Sequence, residues 1–77
     1  MKSEKELFEL AKMYVMLDRE FQRPLPEYEV EEIKESMESI RNTLLEKGYD
    51  VNTFMHYQEL YKKMSIGEYF EFIKTLQ

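Results

Sequence analysis

Val30, Ile33, Met37, Ile40 and Leu44 follow one another at steps of 3, 4, 3 and 4. An α-helix turns that spacing into one narrow apolar stripe, the seam of a heptad pattern. The positions off the stripe are nearly all polar: Glu31, Glu32, Glu35, Glu38, Ser39 and Asn42. Such a helix buries one side only, so another surface must cover it. The rest of the chain is expected to be arranged around this stretch.

The same spacing occurs once more, upstream, in Leu7, Leu10, Tyr14, Leu17 and Phe21. Phe8, Ala11 and Val15 widen that stripe until the apolar sector covers about half the helix. A face this wide can touch two neighbours. Ser3 is placed to cap the first helix, with Glu6 completing a capping box. The helix ends at Arg23-Pro24-Leu25-Pro26, because a residue before proline is pushed out of helical geometry. Pro26 fits the first turn of the second helix, where its missing N–H costs nothing, and Gly48 is the natural left-handed stop. Tyr49-Asp50-Val51-Asn52 reads as a turn, with Asp50 or Asn52 capping a third helix whose apolar face is Phe54, Tyr57, Leu60, Tyr61 and Met64. Ser65 and Glu68 form a second capping box for a fourth helix, with Ile66, Tyr69, Phe70, Ile73 and Leu76 as its apolar face and Phe72 at the edge.

The expected fold is therefore all-α: a small four-helix domain spanning 1–77, with helices at about 4–21, 26–47, 51–63 and 66–76. The short connection between the first two helices makes them a long antiparallel hairpin, with the two shorter helices packed across it. β-branched residues are sparse and never alternate with polar ones over a strand length.

Composition limits function. The 77 residues hold no Cys and one His, which leaves no disulfide and makes no structural zinc site. Absence of cysteine fits a reducing compartment. The start MKSEKELFEL lacks the apolar core of a signal peptide, and no apolar run is long enough to span a membrane, so a cytoplasmic protein is expected. The formal net charge of −5 repels nucleic-acid phosphates. The corner between the third and fourth helices has helix-turn-helix spacing, the alternative reading. But the fourth helix offers Glu68, Glu71 and Lys74 where a recognition helix needs base-reading side chains.

No nucleophile stands beside a base, and no motif for a metal, phosphate or cofactor is present, so no catalysis, metal or cofactor is expected. His56 falls among Asn52, Glu59 and Lys63 as a solvated side chain. Asp18 interrupts the apolar sector of the first helix and is expected to pair with Lys34. Gly67 signals either close packing or tolerance. What remains is a binding surface. Met13 and Met16 lie off the core face of the first helix, and Leu45 edges the stripe of the second. Glu31, Glu35 and Glu38 share one face, suited to a divalent ion only with ligands from elsewhere, and better suited to a basic partner. The expected role is that of a small acidic module that binds and modulates another protein. It would act as an inhibitor of a basic, nucleic-acid-binding surface, or as a homodimer, through Met13, Met16, Leu45, Glu31, Glu35 and Glu38.

Overall fold

The computed structural model describes residues 3–76. These form α1 (Glu4–Phe21), α2 (Glu27–Lys47), α3 (Val51–Lys63) and α4 (Ile66–Thr75), with no strand among the described residues. The fold is all-α.

Local chemistry explains four of the helix boundaries. The Ser3 hydroxyl accepts the Glu6 N–H at 3.2 Å. The reciprocal half of that capping box does not form, because the Ser3 N–H donates instead to the Tyr49 hydroxyl at 3.0 Å. The box at α4 is complete: the Glu68 N–H reaches the Ser65 hydroxyl at 3.3 Å, and the Ser65 N–H reaches the Glu68 carboxylate at 3.1 Å. Asp50, rather than Asn52, caps α3, accepting the Asn52 N–H at 3.3 Å and the Thr53 hydroxyl at 2.9 Å. Gly48 ends α2 at φ 69°, ψ 31°, the left-handed conformation that a side chain makes costly. Around it the Tyr49 N–H donates to the Leu44 carbonyl at 2.9 Å and the Gly48 N–H to the Leu45 carbonyl at 3.2 Å. This double closure turns the residue after the glycine back onto the helix it has just left. Tyr49, read from sequence as a turn residue, is thereby buried beside Leu44.

The element on which the others chiefly pack is α1 rather than α2. The main contact of α1 is with α3 and its second is with α2. Leu7 and Ala11 join Ile40, Leu44, Tyr49 and Phe54 in one buried cluster. On the neighbouring face of α1, Phe8 meets the rings of Tyr57, Tyr61, Tyr69 and Phe72 at centroid distances of 5.4, 6.4, 5.9 and 4.8 Å. The buried axis of α1 is thus Leu7, Phe8, Ala11 and Val15. The residues that only widened the heptad stripe lie at its centre, and Phe21 at the stripe's end is exposed. On α2 only Ile40 and Leu44 are buried. Val30, Ile33 and Met37 stay partly exposed.

Two further expectations are corrected. Ile66 and Phe70 were placed on the packed face of α4, yet Ile66 is 78% exposed and Phe70 also faces solvent. The helix rests instead on Tyr69, Phe72 and Ile73. Asp18 does not pair with Lys34. Its carboxylate accepts a hydrogen bond from the Gln22 side chain at 3.2 Å, one turn on, while Lys34 only shares a surface hollow with it.

The molecule is thin. Its extents are 39 × 30 × 17 Å, and its radius of gyration is 13.2 Å, against about 11.5 Å for a compact chain of this length. Seventeen ångströms is the depth of about two packed helix layers, whose axes lie about 8–10 Å apart. The accessible surface of 5618 Å² likewise exceeds the value of about 5,000 Å² typical of this mass.

A Cβ built on Gly67 meets no atom within 4 Å, so this glycine admits no close neighbour. It lies in the first turn of α4 with ordinary negative φ. Gly67→Ala is expected to stabilise the protein by about 0.5–1 kcal/mol, chiefly by restricting the unfolded chain. A urea-denaturation midpoint that stays put or falls would contradict this.

Candidate functional site

Charge is sorted along α2. Between Glu27 and Glu38, six glutamates against Lys34 account for −5, the whole formal net charge, and the remaining ten acids and ten bases cancel. Five of the six glutamates are exposed, and Glu29 is half-buried. Among the described residues none of them forms an ion pair within 4 Å. Helical spacing turns Glu31, Glu35 and Glu38 away from the side that Ile40 and Leu44 press against α1. Glu27 and Glu29, in the first turn at the positive end of the helix, also favour the helix itself. The result is an acidic arm that sheds its charge into solvent, not into the fold.

Beside this arm lies an apolar hollow. Met13 and Met16, 50% and 48% exposed, line it with Leu17 and Ile40, and Ser36 and Ser39 form its polar edge. Leu45 is not part of it. That residue is 75% exposed and forms a wall of a second groove, of about 480 Å³, between α2 and α3. The opposite wall is Val51 and Met55, both exposed, and the floor is Tyr14, Leu44 and Phe54. Arg41 stands at one rim, its guanidinium donating to the Tyr14 hydroxyl at 2.9 Å, and Glu59 stands at the other. The structure therefore divides the six residues singled out from sequence. Met13, Met16 and the three glutamates belong to one region, and Leu45 belongs to another whose far wall was not recognised. Val51 and Met55 are one helical turn apart, off the packed face of α3, and that spacing was the available signal.

A third apolar edge borders α4, where Ile66 and Phe70 flank a hollow containing Lys12 and Arg19. Both cations are occupied by rings. Lys12 donates to the Tyr69 hydroxyl at 3.1 Å, and Arg19 lies 5.8 Å from the centroid of Tyr61.

The polar contacts that do cross between elements are structural. Glu6 accepts from Lys47 at 2.6 Å and from the Tyr49 hydroxyl, which fixes the start of α1 to the end of α2. The Lys47 ammonium, followed by the Tyr49 hydroxyl, holds the Glu6 carboxyl below its ordinary range. Burial, and then the Glu6 carboxylate it faces, pushes the Tyr49 phenol up. The Tyr57 hydroxyl donates to Glu4 at 2.6 Å, and burial, then that carboxylate, raise its pKa to about 12. Among the described residues no three His, Cys, Asp or Glu side chains converge as a metal site would require. His56 is exposed, with the Tyr57 ring 6.2 Å away. No described helix is long and apolar enough to cross a membrane. No family model, curated protein or solved structure matches the chain.

Proposed function

We propose that this chain is a small non-catalytic module that binds and modulates a partner protein through a basic surface on that partner, of the kind that otherwise holds nucleic acid. The observation behind this reading is the concentration of the entire net charge on one exposed, unpaired arm, Glu27 to Glu38. Carboxylates already paired within the fold would have to give up their partners to bind; these do not. Unscreened charge of one sign steers a basic partner into place and raises the association rate. Glu31, Glu35 and Glu38 set the charge preference, and Met13 and Met16 supply adaptable apolar anchors beside them. The arm is carried on a long antiparallel hairpin of α1 and α2, with α3 and α4 packed across it, in a cytoplasmic protein without cofactor or metal.

The reading is tested with a synthetic lysine- and arginine-rich peptide, followed by amide chemical shifts. Binding should perturb residues 27–38 together with Met13 and Met16. It should weaken as added salt shortens the screening length from about 30 to about 8 Å. Glu31→Gln, Glu35→Gln and Glu38→Gln combined should cost at least about tenfold in affinity, since each close charge pair across an interface contributes about 1.5 kcal/mol or more. Salt-independent binding, or shifts centred elsewhere, would sink it.

A further inference from the structure

We infer that the groove between α2 and α3 is the dimer interface of this protein, its occupant a second copy of the chain. Three observations converge there. The first is shape. The molecule is more extended, and leaves more surface exposed, than its length and mass account for. Leu45, Val51 and Met55 are exposed on the two walls of one groove, over a floor of Tyr14, Leu44 and Phe54 that is already continuous with the buried core. Covering this groove extends the existing core and does not create a separate one.

The second is the distribution of charge. A net −5 on each chain opposes self-association in general, but all of it lies between Glu27 and Glu38. The groove begins at Arg41, in the opposite half of a helix about 31 Å long. Residues 41–63 carry Arg41, Lys47, Lys62 and Lys63 against Glu46, Asp50 and Glu59, a net +1. Two copies joined at the groove meet through their least acidic region and hold their acidic arms apart.

The third is the rim. It offers one cation, Arg41, and one anion, Glu59, on opposite walls, the anion held within the chain only by an exposed pair with Lys62 at 3.4 Å. A twofold contact uses the same patch on both partners, so each copy presents both signs to the other. Arg41 forms no ion pair within its own chain among the described residues. The Met13–Met16 hollow lacks these features. It borders the acidic arm and has serines along one edge, so it is left free for the partner protein. A dimer of this form carries two acidic arms, and a partner with two basic sites would be held by both.

Sedimentation equilibrium over a concentration series tests this directly. The wild-type chain should approach twice its 9.5 kDa mass. Leu45→Glu combined with Met55→Glu should raise the dissociation constant at least about tenfold, as expected for losing one or two buried apolar side chains. Both residues are exposed in the single chain, so far-ultraviolet circular dichroism at room temperature should hold steady, while the melting temperature should fall and lose its dependence on protein concentration as the dimer's stabilisation is removed. Met13→Glu with Met16→Glu should leave the dimer intact. A wild-type chain that stays monomeric at the highest soluble concentration overturns the inference. So does a dimer that survives Leu45→Glu and Met55→Glu, or one that dissociates with the methionine pair instead. The peptide titration reads the acidic arm in monomer and dimer alike, so the two proposals fail separately.

Discussion

Phe8→Ala is expected to leave the protein largely unfolded at room temperature. Phe8 is fully buried, and four rings from α3 and α4 surround it at 4.8 to 6.4 Å. Removing a buried phenylalanine side chain costs about 3–5 kcal/mol, the spread reflecting how far the site can collapse. A core of this size rarely supplies more than about 3–5 kcal/mol in total. The surrounding rings Tyr57, Tyr69 and Phe72 are themselves only half-buried, so little packed structure is available to collapse into the space. Tyr69 and Phe72 are also the ring contacts of α4 with Phe8, so that helix should detach first. Circular dichroism and urea titration read the effect, with Phe8→Leu as a milder companion. A cooperative melt at the wild-type temperature for Phe8→Ala would show that α3 and α4 are held by something other than this ring.

The second large effect is expected in alkali. The Tyr57 phenol has an ordinary pKa of 10.0 and about 12 in the folded chain, owing to burial first and then to Glu4. Between those values the unfolded chain releases a proton that the folded chain retains, so raising the pH favours unfolding. The stabilisation is complete below pH 10 and is lost as pH rises toward 12. Tyr49 shifts in the same direction and adds to the loss. Glu6 works at the other end. Its carboxyl is held below the ordinary 4.5, so its contribution is present above that value and is lost as pH falls through the lowered one. Tyrosinate absorbance should show a late-titrating class coinciding with the alkaline loss of helix. Tyr57→Phe should flatten stability against pH in that window. If it leaves the alkaline slope as steep as before, Tyr57 is not its source.

What the sequence made legible is what is encoded within a few residues. The capping residues Ser3, Asp50 and Ser65 and the glycine stop at 48 act through bonds to the adjoining turn, and the proline break acts by steric exclusion; the helix boundaries fall within a residue of where they place them, Pro26 standing as the N-cap of α2 and not in its first turn. Which part of a wide apolar sector becomes the core was not legible. Steps of 3 and 4 pick out Leu10, Leu17 and Phe21 as readily as Phe8, Ala11 and Val15. Only the arrival of α3 along α1 decides between them. The same holds for Ile66 and Phe70, apolar by residue type yet uncovered because no element reaches them. Tyr49 carried a clue in its place immediately after Gly48, where an apolar residue commonly folds back on the helix. Of the candidate site, the residue types were legible but their grouping was not. Leu45 parted from Met13 and Met16 because α3 supplied it with an opposite wall.

The fastening of Ser3 to Tyr49 has a consequence for the order in which the molecule is made. Its hydrogen bonds span 46 residues of a 77-residue chain, and those from Tyr57 to Glu4 and from Lys12 to Tyr69 span 53 and 57. Contacts that close such long loops slow folding, because the entropy of closure is lost before the contact rewards it. On a ribosome, α1 emerges first and must wait for α3 before its widest face is covered. Until then Leu7, Phe8, Ala11 and Val15 have only α2 to meet, and α2 is too narrow to cover them. The nascent chain thus stays adhesive until α3 has emerged, and a chain cut short before α3 would stay that way.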